Sequence, residues 1–440
     1  MIRRTLYESL GGMDMPELQE AYGDIDLCLK AGQAGYLTVW TPHAVVLQEA
    51  GAVQEQSACS PQETGTAELD AMYRKWLPLI ARDPAYNRNL SLQGAGFELE
   101  ADSGLTWNPL AWRPLPVVLA MPNDLEGSGY GRIIDPALSM NISSVADVRL
   151  SLRDYLPAQL ERLQPDAWVL QGQVNEARIE SLRRTAQFSN AFKVAEVDAY
   201  LPALPEDHML RANASGDIQA ALQRFVGLAD RLVVPTDALA EVLRGSNQDI
   251  RVLPDRLHPA RWGALERHQA TGGRPRVGWV GDFSDADVQA LMKDVVEALA
   301  GEVDWVCLGE CPEPMRAYVG ELHDPVPFDQ YPQKLASLHL DLALAPLGHG
   351  LFDACKSNVR LLEYAACGYP VVCSDVQPYQ GLPVTRVKNI ARDWQSAIRM
   401  HVADLDATAR CADVLRETVL SQWMLDERYV EQWLKVWLPD

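Results

Sequence analysis

Phe352-Asp-Ala-Cys-Lys-Ser-Asn-Val-Arg-Leu-Leu-Glu-Tyr-Ala-Ala-Cys-Gly-Tyr-Pro-Val-Val-Cys-Ser-Asp375 is the stretch that decides the fold, because it predicts a loop, a helix, a tight turn and a buried strand in succession. Its apolar residues recur at the spacing of a helix, at Val359, Leu362 and Ala366. Gly368 stands where a helix ends in the left-handed conformation, and Pro370 prevents the helix from continuing. A helix, a turn and an apolar strand in this order are typical of one step of a parallel α/β sheet.

The same stretch carries charged and polar side chains placed for ligand binding. Ser357 or Asn358 can cap the helix, whose N-terminal amides suit a phosphate group, and Lys356 lies beside them. Lys356 and Glu363 are seven positions apart, so they share one face of the helix, two turns or roughly 10 Å apart. A carboxylate there suits sugar hydroxyls, and the stretch therefore predicts a grip on a nucleotide-sugar. The alternative is an ordinary helix-to-strand corner that binds nothing.

The composition bounds the class of protein. At 440 residues the chain is long enough for two or three domains, and 48% hydrophobic with 22% charged residues is typical of a globular protein. The net charge of −21 argues against binding nucleic acid or an anionic membrane through bulk electrostatics. No apolar run approaches the roughly 20 residues that span a bilayer, which leaves only peripheral membrane contact open. Scattered cysteines in apolar contexts, without a signal-peptide core, predict a cytoplasmic protein.

From Leu115 onward, short apolar runs alternate with helical patterns in two series. The runs of the first series are 117–120, 167–170, 193–197, 231–234 and 250–253. Those of the second series are 276–281, 303–307, 340–344 and 370–373. Alternation of strand and helix implies right-handed βαβ units with parallel strands. We therefore predict an α/β fold with two doubly wound domains that face each other across a cleft, and a ligand at the carboxyl ends of their strands.

The front of the chain predicts a small, incomplete α/β segment. The expected elements are a helix over 16–32, strands at Tyr36-Leu-Thr-Val-Trp40 and Ala44-Val-Val-Leu47, a polar linker over 54–66 and a helix over 67–80. Asp24 and Asp26 lie two apart on the first of these helices and point to different sides. They predict a solvated acidic face rather than a metal site.

These patterns suggest boundaries for the parts of the chain. The expected segments are 1–52, the incomplete front; 53–113, a linker or tether; 114–268, the first domain; 269–405, the second domain; and 406–440, C-terminal helices that cross back to the first domain.

Two glycine-containing loops are candidate ligand contacts. Gly127-Ser-Gly-Tyr-Gly-Arg132 follows the first strand of the first series, where Gly127, Gly129 and Tyr130 suit an anion or sugar and Arg132 can donate charge-assisted hydrogen bonds. The alternative is a flexible strand-to-helix turn. Gly281 ends the first strand of the second series and suits a ligand lying against the backbone, whereas Ser284 needs no role beyond a helix cap.

Taken in order, these segments resemble glycosyltransferases of the GT-B fold, close to glycosyltransferase family 4, over roughly residues 115–400. The strand, glycine loop and helix over 117–136 look like the family's first glycine loop. Ala229-Asp-Arg-Leu-Val-Val-Pro-Thr236 is similar to its interdomain approach, and Val277-Gly-Trp-Val-Gly281 to the first strand of its nucleotide domain. Residues 331–335, 341–347 and 352–375 look like its donor-binding half. The resemblance implies two Rossmann-like domains, with the acceptor on the first and the nucleotide-sugar on the second.

The resemblance also implies roles for single residues. The carboxylate that matches Glu363 takes the ribose hydroxyls of the donor, and the helix N-terminus that matches Lys356, Ser357 and Asn358 faces the diphosphate. Gly281 then lies on the donor side.

The sequence departs from the family pattern at two places. Many members carry a second Glu eight positions before the ribose-binding one, and here that residue is Cys355. The Arg and Lys pair that neutralises the leaving diphosphate is not evident near Gly281, and Lys356 and Arg360 are candidates to replace it.

A second resemblance lies at the front of the chain. Leu10-Gly-Gly-Met-Asp14, Tyr22-Gly-Asp-Ile-Asp-Leu-Cys-Leu-Lys30 and Pro42-His-Ala-Val-Val46 look like the C-terminal end of a family 2 glycosyltransferase of the GT-A fold. Asp24 would match the catalytic-base aspartate of that family, whose preceding Glu is Gly23 here. We interpret this part as a remnant without a working site.

The expected function is transfer of a sugar, of the hexosyl type, from a nucleotide-sugar to a saccharide or lipid-linked saccharide acceptor in cell-surface polysaccharide or glycoconjugate synthesis. Lys356 and Arg132 are the expected catalytic cations that meet the charge of the leaving diphosphate. We expect no metal ion, no further cofactor and no nucleic-acid partner. Two alternatives stay open, a non-catalytic nucleotide- or saccharide-binding module that supports a partner transferase, and a nucleotide-sugar epimerase of the same fold.

Overall fold

A computed structural model describes most of the chain. The described residues are 1–19, 21–43, 45, 61–94, 96–106, 112–172, 174–204, 216–266, 273–281, 283 and 285–440. The expected strand at Ala44-Val-Val-Leu47, most of the expected linker and the expected cap Ser284 lie outside these residues.

The chain forms two compact units. The smaller one consists of Met1–Ala111, Tyr155–Gln164 and Arg184–Ser189, and the larger one consists of Trp112–Asp154, Pro165–Arg183 and Asn190–Asp440. Both predicted series of strands belong to the larger unit.

The larger unit contains two parallel sheets. The strands of the first are β1 Val117–Met121, β2 Asp147–Leu150, β3 Ala167–Gln171, β4 Phe192–Glu196, β5 Arg231–Val234 and β6 Ile250–Val252, in the order β2-β1-β3-β4-β5-β6. Those of the second are β7 Arg276–Val280, β8 Asp304–Leu308, β9 Glu321–His323, β10 Leu342–Ala345, β11 Val371–Ser374 and β12 Thr385–Val387, in the order β12-β11-β10-β7-β8-β9. The pairs are parallel throughout. The predicted α/β fold with two doubly wound domains is confirmed.

Helices connect and cover these strands. Those of the described residues are α1 Arg4–Ser9, α2 Gly23–Gln33, α3 Pro61–Ala81, α4 Ser103–Thr106, α5 Gly127–Gly129, α6 Asp135–Ile142, α7 Pro157–Leu163, α8 Glu176–Ala186, α9 Ile218–Val226, α10 Asp237–Val242, α11 Pro259–Trp262, α12 Ala286–Leu299, α13 Glu313–Arg316, α14 Tyr331–Ala336, α15 Leu351–Ala354, α16 Val359–Ala366, α17 Ala391–Ala403, α18 Leu405–Gln422 and α19 Glu427–Trp437. A wide turn of the π type, Tyr130–Ile134, joins α5 to α6.

The central strands are apolar because helices cover both of their faces. Each residue of β1, β3, β10 and β11 is buried, as expected for parallel strands inside an α/β sandwich. Three strands that the sequence did not reveal, β2, β9 and β12, are short, and two of them lie at the edges of the second sheet. Their charged residues and partial exposure remove the apolar signal on which the prediction depends.

The C-terminal part of the chain is helical, as expected for 406–440. It forms two helices, α18 and α19, because the backbone between them pairs with Leu257 instead of continuing the helix. The Leu257 amide donates to the Trp423 carbonyl at 3.0 Å, and the Leu425 amide donates to the Leu257 carbonyl at 2.9 Å. Asp426 then caps α19 by accepting from the Tyr429 amide at 3.1 Å.

The two C-terminal helices pack on different sheets. Leu415 and Val419 of α18 belong to the core on one face of the second sheet. Trp433 and Trp437 of α19 are fully buried in the core of the first sheet, together with Val118 of β1. The chain therefore passes between the two sheet domains a second time after α18.

The smaller unit is organised by the long helix α3. Met72 and Trp76 pack with Leu18 in one apolar cluster, and Tyr73 and Leu77 belong to a second. The predicted helix over 67–80 is thus confirmed, with α3 extending to both sides of it.

Three expectations for the smaller unit are wrong. The helix expected over 16–32 begins only at Gly23, as α2. Tyr36-Leu-Thr-Val-Trp40 forms no strand, since no segment among the described residues pairs with it, and Leu37, Val39 and Trp40 are exposed. Asp26 is not solvated but fully buried, with the Lys30 Nζ at 2.7 Å and the Trp76 indole N–H donating to it at 2.9 Å. Burial alone would raise the pKa of Asp26, but these partners outweigh it and lower the pKa below its usual value.

Candidate functional site

A cavity of about 410 Å³ lies in the larger unit where the carboxyl ends of the two sheets meet, within the roughly 300–1,000 Å³ of small-molecule sites. Its walls come from the loops after β1, β4 and β6 of the first sheet and from those after β7 and β10 of the second. The charged or ionisable residues that line it are Arg132, Asp135, Asp198, Asp255, Arg256, His258, Asp285, Asp353, Lys356, Arg360 and Glu363. Parallel α/β sheets bind their ligands at this edge.

The second-sheet wall is built on the ends of β7 and β10. The Tyr364 hydroxyl accepts from the Val280 amide at 3.0 Å and donates to the Leu344 carbonyl at 3.3 Å, which ties the two strand ends together. Gly281 follows with a φ of +77°, a conformation that a side chain disfavours. It is not among the residues that line the cavity, although its neighbour Val280 is. The following helix, α12, is capped by Asp285, which accepts from the Asp287 amide at 2.8 Å.

The stretch around α16 forms the local structure that its sequence predicts. The helix begins after Asn358, and Gly368 ends it with a φ of +78°. The Ser357 hydroxyl accepts weakly from the Val359 amide at 3.4 Å, whereas Asn358 makes no side-chain cap. Lys356 and Ser357 line the cavity, and Asn358 does not.

Lys356 does not stand alone beside this helix. Its Nζ lies 2.8 Å from the Asp353 carboxylate and 4.4 Å from the centre of the Phe352 ring. Asp353 is buried, so it fixes the lysine at the wall of the cavity. A ligand anion near Lys356 therefore shares that cation with Asp353.

Glu363, Arg360 and Tyr331 form a second polar group on the same wall. The Tyr331 hydroxyl donates to Glu363 Oε2 at 3.0 Å and accepts from Arg360 Nη1 at 2.8 Å, while Arg360 Nη1 lies 3.6 Å from Glu363 Oε2. The other end of the Arg360 guanidinium points toward Gly281, where a Cβ atom would lie 3.9 Å from Nη2. Arg360 thus brings a cation to the end of β7.

Burial and charge oppose each other within this group. Burial raises the pKa of Glu363, with Arg360 and Tyr331 opposing the rise. Burial lowers the pKa of Arg360, but Tyr331 and Glu363 outweigh it and keep the guanidinium charged.

The first-sheet wall begins with the glycine loop. Gly127 and Ser128 line the cavity, whereas Gly129 is buried against the Asp124 carbonyl, which a Cβ atom would overlap. Tyr130 points away from the lining and stacks on Phe328 of the second domain, with ring centres 4.7 Å apart. Gly129 and Tyr130 therefore shape the loop and its contact with the opposite domain.

Arg132 faces carboxylates instead of an open cleft. Its Nη2 donates to Glu196 at 2.8 Å, and its Nη1 donates to Asp255 at 2.9 Å and to the Leu253 carbonyl at 2.7 Å. The guanidinium also lies 4.6 Å from the centre of the Trp433 ring. With 1% of its surface exposed, Arg132 has few donors left for a diphosphate, which differs from the expectation that it meets the leaving group.

The carboxylate partner of Arg132 is equally enclosed. Glu196 accepts from the Trp437 indole N–H at 2.9 Å as well as from Arg132. Burial raises the pKa of Glu196 to about 7, with Arg132 and Trp437 opposing the rise and Asp255 adding to it. The carboxylates near the Arg132 guanidinium are those of Glu196, Asp198 and Asp255. Ionising all three is costly, because burial shields them from water.

Sequence reasoning missed several residues of this site. Glu196, Asp198 and Asp255 follow or end strands β4 and β6, and that position at a carboxyl edge is the signal that could have identified them. Tyr331 belongs to residues 331–335, which the resemblance assigned to the donor-binding half, but only the folded chain brings its hydroxyl to Glu363, which is 32 positions away.

The described residues contain no group of three or more His, Cys, Asp or Glu side chains placed to hold a metal ion. No helix among them is long and apolar enough to cross a membrane.

The chain was compared with known proteins. No family model matches it. Uncharacterized protein y4gI from Sinorhizobium fredii is 37% identical over 102 residues, which make up 23% of this chain and 11% of that protein. The chain therefore matches only a small part of the length of this curated relative.

Solved structures give broader matches at low identity. A glycosyltransferase from Rickettsia africae has a TM-score of 0.53 and 10% identity, over 74% of this chain and 98% of the other. An alpha-glucosyltransferase, in complex with UDP-glucose and DNA containing an abasic site, has a TM-score of 0.50 and 12% identity, over 73% and 99%. TarM matches 64% of this chain and 57% of its own at a TM-score of 0.45 and 14% identity.

Likeness at these identities concerns the fold alone. The two six-stranded parallel sheets and the two matches at TM-scores of 0.50 and above agree with each other. The chain has the GT-B fold, with two Rossmann-like domains in tandem.

Proposed function

We propose that the chain is a glycosyltransferase that moves a sugar from a nucleotide-sugar to a saccharide or lipid-linked saccharide acceptor. The observation that carries the proposal is the cavity at the carboxyl ends of both sheets, where Lys356, Arg360 and Glu363 line one wall. The first donor to test is UDP-glucose, which occurs in one of the structures that share the fold.

The contacts of these residues indicate how the nucleotide-sugar is bound. Both contacts of Glu363 described above use Oε2, so Oε1 accepts a ribose hydroxyl. Arg360, Lys356 and the amides at the start of α16 receive the diphosphate, with Gly281 allowing its close approach to β7. This assignment gives Arg360 the place that the sequence suggested for Arg132.

In the chemical step the anomeric carbon of the sugar exchanges its bond to the diphosphate oxygen for a bond to an acceptor hydroxyl oxygen, and the hydroxyl proton is released as the nucleoside diphosphate leaves. Negative charge grows on the leaving oxygen as the glycosidic bond breaks, and cations fixed before the reaction stabilise that charge without reorganising. Lys356 is held by Asp353 and Arg360 by Tyr331 and Glu363, so both are oriented in advance. In this scheme the two side chains do the work of a metal ion, and no metal or further cofactor is needed.

Finer assignments belong to the same proposal. A likeness to family 4, a hexosyl donor, a role in cell-surface polysaccharide or glycoconjugate synthesis and a cytoplasmic location are all consistent with the sequence patterns. We also propose that residues 1–52 are a GT-A remnant and that Asp24, which is exposed, has no catalytic role.

A binding screen followed by a turnover assay tests the proposal. A nucleotide that binds only the native state stabilises it and raises its melting temperature. The free energy of unfolding increases by about 2.7 kcal/mol when the nucleotide concentration is 100 times its dissociation constant. We expect one of the diphosphates of uridine, guanosine, adenosine and thymidine to give such a shift. The matching nucleotide-sugar should be consumed when a saccharide acceptor is added.

Two variants locate the site and separate the alternatives. Lys356→Ala should weaken nucleotide binding, whereas Lys388→Ala, an exposed lysine outside the cavity lining, should not. Binding without turnover across donors and acceptors would favour the non-catalytic module, and a change in the donor sugar without an acceptor would favour the epimerase. If none of the four diphosphates binds, the proposal is wrong.

A further inference from the structure

The two walls of the cavity differ in how their charged groups are paired. On the first-sheet wall, Arg132 is held by Glu196 and Asp255, and Asp135 is held by Arg261 at 2.9 Å. Arg132 and Asp135 are therefore both engaged by opposite charges within the protein. The other acidic and basic groups of this wall are Arg256, His258 and Asp198. Burial lowers the pKa of His258, which favours its neutral form.

The charge of Arg256 is directed away from the cavity. Its guanidinium lies 3.7 Å from the centre of the Tyr429 ring and 4.6 Å from that of Trp423, and it donates to the Gln422 carbonyl. None of these three partners lines the cavity. Arg256 therefore contributes its stem to the wall, and the guanidinium stabilises the contact with the C-terminal helices.

Asp198 is the carboxylate that this wall leaves for a ligand. It follows β4, lines the cavity and is half-buried, and within the described residues no Lys, Arg or His lies within ion-pair distance of it. Burial raises its pKa, with the Arg132 charge and the Ser128 hydroxyl opposing the rise. Ser128 is itself placed by Gln171, whose Nε2 donates to its hydroxyl at 3.0 Å. The carboxylate thus sits in a prearranged position.

We propose that Asp198 accepts a hydrogen bond from a hydroxyl of the acceptor, and that the acceptor sugar carries no negative charge at this position. The inference rests on the proposed function and narrows its acceptor class. A carboxylate or phosphate of an acceptor at this wall would be repelled by Asp198, because the nearby Arg132 charge is already engaged by Glu196 and Asp255. An uncharged sugar hydroxyl donates to the same oxygen without that cost.

Three acceptors matched in size test the charge rule. They are methyl glucoside, methyl glucuronide and methyl glucosaminide, which are neutral, anionic and cationic at pH 7. With the donor identified by the binding screen, we expect the full-length chain to use the glucoside and the glucosaminide at least tenfold better than the glucuronide, as kcat/KM. Equal use of all three, or a preference for the glucuronide, would overturn the inference.

Asp198→Asn assigns the effect to this residue. We expect kcat/KM for the glucoside to fall about 10- to 100-fold, mainly through KM, as expected for a lost hydrogen bond to a charged group. The discrimination against the glucuronide should shrink, because the amide is uncharged. Asp237→Asn, an exposed aspartate at the start of α10, is the matched control and should change neither value.

Measuring the dissociation constant of the nucleoside diphosphate separates the two proposals. If the diphosphate binds the wild type and Asp198→Asn equally while the acceptor effects appear, both proposals hold. If it binds but acceptor charge and Asp198 have no influence, the acceptor inference is wrong and the donor site stands. If it does not bind at all, the proposed function is wrong, and the inference fails with it.

Discussion

Two arginines at the cavity, Arg132 on the first-sheet wall and Arg360 on the second, show how the same side chain serves different ends. Arg132 faces two carboxylates, a carbonyl and an aromatic ring, and 2% of its side chain is exposed. Arg360 faces one carboxylate and one tyrosine hydroxyl, and 36% of its side chain is exposed. The two arginines therefore differ in the number of their partners within the protein. That number, more than residue type or nearness to a cavity, decides whether a guanidinium keeps donors for a ligand.

The largest expected effect is on stability. Arg132→Met removes the cation between Glu196 and Asp255 and should cost about 3–5 kcal/mol, as expected when one partner of a buried pair is lost. Arg360→Met should cost much less, because Glu363 keeps the Tyr331 hydroxyl. Melting temperatures and urea midpoints of the full chain measure both. Equal losses in the two variants would show that the distinction between the arginines is wrong.

The second effect is on nucleotide binding, where replacing Arg360 should matter more than replacing Arg132. Arg360→Ala should weaken binding of the nucleoside diphosphate by about 10- to 100-fold, from the loss of about 1.5–3 kcal/mol of charge-assisted hydrogen bonding. Arg132→Met, assayed below its own melting temperature, should change the dissociation constant by about twofold or less, since its donors serve the protein. Isothermal titration calorimetry with UDP measures both constants, and stronger weakening in Arg132→Met would contradict the assignment.

A smaller effect concerns pH on the first-sheet side. The pKa of Glu196 is about 7 in the native state against an ordinary value of 4.5, so between these values the native state holds a proton that the unfolded chain has released. The stabilising contribution is fully present below about pH 4.5 and is lost as pH rises through about 7.

Glu196→Gln removes this titration and keeps the shape of the side chain. The stability of the wild type relative to this variant should therefore fall between pH 5 and pH 8, and the measurement is the difference in melting temperature at each pH. The comparison cancels other groups such as His258, whose pKa is lowered by burial. A relative gain of the wild type with rising pH would contradict the protonated state of Glu196.

The smallest expected effect is that of Tyr331, the hydroxyl partner of Arg360, on nucleotide binding. Tyr331→Phe removes the hydroxyl that joins Arg360 to Glu363, while the two charged groups remain 3.6 Å apart. We expect UDP binding to weaken by only about 2- to 10-fold, because Tyr331 acts on the nucleotide through Arg360 and Glu363 and not by direct contact. The loss should be smaller for 2′-deoxyuridine diphosphate if Tyr331 acts by orienting Glu363 toward the ribose. An equal loss for both nucleotides would place the role of Tyr331 elsewhere.

The sequence was sufficient to predict the central strands and the corner around α16. Apolar runs such as those of β1 and β11 are buried on both faces, so their composition records the fold directly. Gly368 has the left-handed conformation that its position after a helix requires. Edge strands such as β9 and β12 are short and partly exposed, so they contain no apolar run and the sequence pattern does not predict them.

The partners of charged residues could not be predicted from spacing. Arg132 stands in a glycine loop that suits an anion, yet the Glu196 and Asp255 that engage it are 64 and 123 positions away. The sequence predicts a solvated acidic face at Asp26 of α2, yet Trp76 of α3 completes the burial of this carboxylate. Whether an ionised group meets solvent, ligand or protein is decided by tertiary packing, which a local pattern does not contain.

The packing of α19 on the first sheet has a consequence for synthesis on the ribosome. Trp433 and Trp437 fill the core of the first sheet domain, and Trp437 also completes the hydrogen bonds of Glu196. The ribosome delivers these residues only after the entire second sheet domain. The first sheet domain therefore emerges before the second sheet domain but is completed after it, and until then its nascent core exposes apolar surface that a chaperone can bind.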